Sequence, residues 1–297
     1  MGFIANLFGY VLNFLYNWVH NYGWAMILFS VLLQLILLPL SIKQQKSMKK
    51  SAKIQKEMSK LQVKYKNNPE LLNQEVMGLY KKEKVSPFSG CLSSIIQLIL
   101  FLSVFYLVSR PLTYMLKVDP TVIQNYEQEL TESGESSSYP EMKIIEEKAA
   151  EDESVYINMD FLCLDLSKVP MQNLSDIKVL VIPIIYVITT FVNMRLISNM
   201  NKTKEQREKE KEDKKRKKQK NAITDGSQED SMEEQLESMQ QMTNSMNYMM
   251  PIMSIAIALI APLGLSLYWL VKNILQLGER LLLGKVLKDK DEVKDNG

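Results

Sequence analysis

The sequence predicts an all-α, polytopic membrane protein with five transmembrane helices, a cytoplasmic antiparallel helical hairpin and an N-terminal interfacial helix. Three observations predict it. Apolar runs of spanning length recur along the chain. The loops between them alternate between lysine-rich and acid-rich, which orients the spans. The third is the stretch from Met249 to Leu283, apolar almost throughout but interrupted by Pro262 and Gly264. As one helix it would run about 50 Å, against a hydrocarbon core of about 30 Å. It is too long for one straight span and about right for two, so the Pro and Gly mark the turn of a helical hairpin.

Bulk composition hides this pattern. The 297 residues carry a net charge of +2, are 46% hydrophobic and have a mean hydropathy of −0.11, values ordinary for a soluble protein. Greasy spans and charged loops cancel in the average. Two cysteines, Cys91 and Cys163, lie far apart without metal-ligand spacing. The single histidine, His20, makes a His-rich metal site and Ser-His or Cys-His catalysis poor readings. It reads as an interfacial or surface residue. No Walker motif is visible, no cofactor or metal is implied, and the chain does not read as an enzyme.

The elements follow in order. Residues 1–22 place Phe3, Leu7, Tyr10, Phe14 and Trp18 at spacings of three or four, which predicts an amphipathic helix lying in the membrane interface. A signal peptide is the alternative, but there is no basic n-region and no small-residue cleavage site. Residues 23–42 form the first span, with Pro39 near its end. Gln34 is its one strongly polar residue, and either bonds across a helix interface or serves a function.

Residues 43–86 form a basic excursion with twelve lysines against four glutamates from Lys43 to Lys84. That excess places it in the cytoplasm and Met1 outside. Ile54, Met58, Leu61 and Tyr65 step along one helical face. Leu72, Val76, Leu79 and Tyr80 do so after a break at Asn67-Asn68-Pro69, which predicts the antiparallel hairpin. Its lysines are either solvated or meet ribosomal RNA or anionic lipid.

After the turn from Val85 to Cys91, residues 88–110 form the second span, with Gln97 toward its cytoplasmic end. Cys91 reads as a small packing residue. Residues 111–177 form an external acidic loop. From Arg110 to Ile177 the chain has fourteen acids against four lysines. Glu127 to Glu153 is Ser/Glu-rich and reads as mobile; Phe161 to Ser167 is more apolar and reads as returning to the membrane surface.

Residues 178–198 are the third span, with Pro183 inside and Arg195 near the cytoplasmic end. Residues 199–243 form a charged cytoplasmic loop, basic over Lys202 to Lys220 and acidic over Asp225 to Glu237. The methionines from Met232 to Met253 begin a packed helix or offer an adaptable apolar face. Residues 244–261 and 263–284 are the fourth and fifth spans, and 285–297 a cytoplasmic tail.

The fifth span carries Lys272, Asn273 and Gln276. An ammonium group near the bilayer centre costs about 3 kcal/mol on insertion scales and marks a candidate functional site. Snorkelling to a headgroup is the alternative for Lys272, weakened by its position near mid-span.

Several segments together resemble the YidC/Oxa/Alb family of membrane protein insertases, in its Gram-positive bacterial form. They are Leu37-Leu38-Pro39-Leu40 with the lysines that follow, and Met77 to Pro87 leading to Gly90-Cys91 and Ile96-Gln97. The third is Met250-Pro251-Ile252-Met253 with Pro262 to Leu265, Leu267-Tyr268-Trp269 and Asn273. Phe161 to Ser167 resembles the segment before the third span of Gram-positive members.

The resemblance implies a hydrophilic groove open to the cytoplasm and to lipid, which receives the polar tail of a newly made membrane protein. Its residues here would be Gln34, Gln97, Lys272, Asn273 and Gln276. The client's apolar segment would slide along the third and fifth spans, at Ile184, Val187, Phe191, Tyr268 and Trp269. The implied partners are nascent membrane proteins and the lipid bilayer, with the ribosome and the Sec translocon as further candidates and no DNA. The implied location is the bacterial plasma membrane, N-terminus outside and C-terminus in the cytoplasm. One departure concerns charge. The family has an arginine five residues before the Pro-Leu pair, and here that position is Gln34. Lys272 stands where the family has a small polar residue and would supply the missing positive charge.

A small transporter or channel with Lys272, Gln34 and Gln97 along a polar path is the competing class. Transporters show internal repeats and paired broken helices. No repeat is visible here, and the basic hairpin has no evident transport role.

Overall fold

The computed structural model describes residues 2–65, 68–82, 89–135, 137–201 and 253–295. The turn from Val85 to Phe88, the charged loop beyond Asn201, the methionine-rich run up to Met250 and the start of the predicted fourth span lie outside the described residues. The helices are α1 (Gly2–Val19), α2 (Tyr22–Lys64), α3 (Pro69–Lys82), α4 (Ser89–Ser109), α5 (Pro120–Glu132), α6 (Pro140–Lys148), α7 (Val181–Asn201), α8 (253–260) and α9 (Leu263–Asp295). Among the described residues two stretches are long and apolar enough to cross a membrane, Tyr22–Gln45 and Ile177–Leu196, and Ile95–Ser109 is a shorter apolar helix.

Helix α1 has two apolar faces. Phe3, Leu7, Tyr10, Phe14 and Trp18 are exposed, whereas Ala5, Leu12 and Tyr16 are buried against the rest of the protein. Gly9 lets α1 approach closely: a Cβ there would lie 1.8 Å from the Tyr114 carbonyl oxygen. The chain turns at His20, which is exposed with φ 50°. Asn21 then caps α2 by accepting a hydrogen bond from the Trp24 amide at 3.2 Å.

Helix α2 runs unbroken for 43 residues, about 64 Å, straight through Pro39. The predicted boundary at residues 42–43 is therefore not a helix end. The first span and the first arm of the basic excursion are one rod. Proline lacks an amide hydrogen and crowds the preceding turn, yet the helix absorbs one such defect. Helix α3 packs back on α2.

The acid-rich segment between the second and third predicted spans differs most from expectation. Glu127 to Glu153 reads from composition as mobile, but it contains the last turns of α5 and all of α6. These helices bury Ile123, Leu130, Met142, Ile144 and Ile145 in a core continuous with the main one. The apolar residues are few but fall on helical faces, so a Ser/Glu-rich composition still closes a small core. Tyr126 donates to Asp152 at 3.0 Å, and Lys143 bridges Glu135, Glu146 and Glu147.

Glu141, 3% exposed, fastens this cap to the helical turn Leu112–Leu116 that follows α4. It accepts from the Thr113 amide at 3.0 Å and from the Thr113 hydroxyl at 2.6 Å. Burial raises its pKa, an effect that the Thr113 bonds, the Leu112 amide and the Arg110 charge offset only in part.

Phe161 to Ser167 does not lie free on a surface. Asp160–Phe161 and Leu164–Asp165 pair as a two-residue antiparallel hairpin, turned through Leu162 and Cys163 at positive φ. Phe161 packs over Gly23, where a Cβ would meet its ring at 2.3 Å, and edge-on to Trp24. The segment also holds the α8–α9 turn. The Gly264 amide donates to the Leu166 carbonyl at 3.0 Å and the Leu263 amide to that of Lys168 at 2.9 Å. Two amides at the start of α9, which lack partners in their own helix, are thereby satisfied.

Candidate functional site: a polar ladder on the last helix

Helix α9 is apolar in its first turns and polar along one stripe. Lys272, Gln276 and Glu279 recur at spacings that place them on one face, with Asn273 about 100° around the axis. These positions face two different neighbours, since α9 packs on both α2 and α7.

Toward α7, Asn273 donates from Nδ2 to the Thr190 hydroxyl at 2.7 Å. Asn193 donates from its own Nδ2 to the Asn273 carbonyl at 2.9 Å. Bonds of this kind between apolar helices contribute about 0.6 to 2 kcal/mol each. Just above this seam Trp269 stacks between Phe101 at 5.5 Å and Tyr186 at 5.8 Å, so the three apolar helices meet on one ring.

Toward α2 the centre is Glu279, 8% exposed. Gln34 donates from Nε2 to Oε2 at 2.5 Å; Ser41 donates to Oε1, and Gln45 donates from Nε2 to the same oxygen at 3.0 Å. Gln34, Ser41 and Gln45 share one face of α2, so a single carboxylate gathers three donors from one helix. A buried carboxylate needs such partners, because each charged hydrogen bond returns about 1.5 to 3 kcal/mol of lost hydration.

Lys272 is half-buried, with Nζ 5.9 Å from the centre of the Tyr268 ring, at the outer limit of a cation–π contact. Among the described residues it has no carboxylate within ion-pair distance. Gln97 and Gln276 are also half-buried, without a hydrogen bond to another described residue. The structure therefore joins Gln34 to the last helix and Asn273 to α7, but it does not tie Lys272, Gln97 and Gln276 into either network.

The predicted client-facing residues divide. Ile184 and Phe191 are 54% and 55% exposed on α7, and Val187 beside them is half-buried. Tyr268 and Trp269 are 3% and 6% exposed. Both are core residues, and Trp269 fills the space where α4, α7 and α9 converge. Sequence reasoning missed Glu279, Ser41 and Gln45. The available signals were a lone carboxylate in the apolar run before Leu281, and the helical spacing of Ser41 and Gln45 from Gln34. Among the described residues, no group of three or more His, Cys, Asp or Glu side chains is placed to hold a metal ion.

Long apolar helices joined by buried polar contacts define a helical membrane protein. A family model described as 60Kd inner membrane protein matches residues 14–290, nearly the whole chain, and the protein belongs to that family, the YidC/Oxa/Alb family. Three relatives carry the name "Membrane protein insertase YidC". That of Syntrophus aciditrophicus (strain SB) is 48% identical over 94 residues, 32% of this chain and 17% of the relative. That of Fusobacterium nucleatum subsp. nucleatum is 41% identical over 109 residues, 35% of this chain and 53% of the relative. That of Caldanaerobacter subterraneus subsp. tengcongensis is 41% identical over 105 residues, 35% of this chain and 51% of the relative. The aligned part thus spans about half or less of each of these relatives.

Proposed function

We propose that the protein is an insertase and chaperone for newly made membrane proteins, acting in a bacterial plasma membrane. Family membership supports the broad reading. The observation that carries the mechanism is the polar stripe of α9, where a lysine, two amides and a carboxylate occupy a helix whose neighbours are apolar. Polar groups at such depth are expensive unless they serve a polar cargo or one another.

In this reading five spans cross the bilayer, with the N-terminus outside and the C-terminus in the cytoplasm. Gln34, Gln97, Lys272, Asn273 and Gln276 line a wet groove that lowers the cost of moving a client's polar tail. The client's apolar segment moves along the side of α7 that carries the exposed Ile184 and Phe191 and the half-buried Val187. Its transfer into lipid drives release at about 0.8 kcal/mol per buried methylene. Helix α1 lies in the outer interface on its exposed aromatic face. The basic excursion faces the ribosome or anionic lipid, and work beside the Sec translocon fits the same geometry.

Depletion in cells tests the reading. Small single-span and double-span membrane proteins should remain uninserted while soluble export continues. Intact insertion with altered solute flux would replace this reading with a transporter. Cysteines at Gln34, Gln97 and Lys272 should crosslink a ribosome-bound nascent client.

A further inference from the structure

We infer that Lys117 is a phosphate-binding residue lent to helix α1, where it holds the headgroup of an anionic phospholipid in the outer leaflet. The inference goes beyond the insertase reading and rests only on the placement of α1 in the outer interface.

Helix α1 carries no charged side chain. A helix lying in an interface usually pairs an apolar face with lysines or arginines, which add attraction to anionic lipid. The exposed stripe of Phe3, Leu7, Tyr10, Phe14 and Trp18 supplies the apolar part. The charge comes from another element. Gly9 lets the helical turn Leu112–Leu116 approach α1 closely, and Lys117 ends that turn in the left-handed region at φ 60°. Its Nζ donates to Asn6 Oδ1 on α1. The same atom lies 4.8 Å from the centre of the Tyr10 ring and 5.9 Å from that of Tyr114.

Three features fit this ammonium group to a phosphate. First, Lys117 is exposed, and an ammonium has three donors, of which Asn6 takes one. Second, Tyr10 belongs to the exposed stripe, so the charge stands at the edge of the apolar face. A headgroup lies at that level when the rings enter the acyl chains. Third, no acid claims the charge. Among the described residues Lys117 has no carboxylate within ion-pair distance, and partial burial lowers its pKa with no acid to offset the shift. Asp119, the nearest acid in sequence, accepts instead from the Thr121 amide at 2.8 Å and the Thr121 hydroxyl at 2.7 Å. The lysines of α6 differ: Lys143 and Lys148 are both paired with glutamates.

The test uses the full-length protein in phosphatidylcholine vesicles that contain brominated phosphatidylglycerol or brominated phosphatidylcholine. The readout is quenching of tryptophan fluorescence. Trp18 is exposed on the stripe and Trp24 is exposed near the start of α2, whereas Trp269 is buried, so quenching reports the lipid beside α1. The wild type should favour phosphatidylglycerol. Lys117→Gln should lower the ratio of the two association constants about fivefold, the worth of one lysine at an anionic surface. Lys117→Arg should keep the preference, and raised salt should weaken it in the wild type. Equal quenching by the two lipids in the wild type overturns the inference, as does an unchanged ratio in Lys117→Gln. A Lys117→Gln protein with a lower thermal midpoint and the wild-type ratio would assign Lys117 to packing the turn on α1, and overturns it too. Quenching by neither lipid would remove α1 from the interface and the inference with it, while leaving the insertase reading untouched.

Discussion

The side-chain amide of Gln34 donates to the carboxylate of Glu279 at 2.5 Å across 245 positions of sequence. This bond joins the first long helix to the last. It also replaces the fixed cation that the family resemblance places at residue 34 with a neutral amide held by an anion. The polar centre of this protein is thus built from a different pair of groups than the sequence alone suggests.

Glu279 should matter to stability. Glu279→Ala removes the acceptor for Gln34, Ser41 and Gln45 and leaves donors with no partner. Breaking one side of such a buried network costs about 3 kcal/mol or more. The thermal midpoint of the detergent-solubilised protein should fall clearly, and less for Glu279→Gln, which keeps one acceptor. Identical midpoints for wild type and Glu279→Ala would show that the cluster contributes nothing to helix association.

The seam between α7 and α9 makes a separate prediction. Thr190→Val and Asn273→Leu each break the same 2.7 Å bond. Their effects on unfolding should be non-additive, with a coupling energy of about 1 kcal/mol in a double-mutant cycle. Strict additivity would assign the contact no energetic role.

Lys272→Gln keeps length and polarity but removes the charge. Insertion of clients with acidic tails should fall at matched protein level, while clients with neutral tails are spared. Normal accumulation of acidic-tailed clients in cells carrying only this variant would discard a role for the ammonium group.

The cap formed by α5 and α6 should respond to pH through Glu141. Burial holds its folded pKa above the ordinary 4.5. A carboxyl raised in the folded state binds its proton more tightly there than in the unfolded chain. Its contribution is therefore fully present below about 4.5 and declines as pH rises through the folded value. Amide-exchange protection of α5 and α6 in the intact protein should reflect that loss, and Glu141→Gln should flatten this part of the profile. A variant profile that overlays the wild type would remove Glu141 from the account.

The places where reading and structure part have physical causes. Composition suggests a mobile external loop because acids and serines dominate it. Whether the few apolar side chains meet is decided by helix periodicity and by tertiary packing, which buries Ile123 and Ile144 and ties Glu141 to Thr113. Pro39 lies near the end of the first span, and α2 continues beyond it because a single missing amide does not outweigh the helix on both sides. Tyr268 and Trp269 are apolar enough for a lipid-facing or a core place, and only the tertiary packing, which buries both and stacks Trp269 on Phe101 and Tyr186, distinguishes the two.

What the sequence by itself determined is the class: apolar runs of spanning length, the lysine asymmetry, the Pro262–Gly264 turn and the family resemblance are all local signals. Those properties belong to contiguous residues, and hydrophobic length and periodicity act over one helix at a time. Only the tertiary structure decided which polar groups share a site. Glu279 is an isolated carboxylate until α9 lies against α2, when three donors converge on it. Partnership between distant helices depends on packing and rotation about each axis, which no stretch of sequence encodes alone.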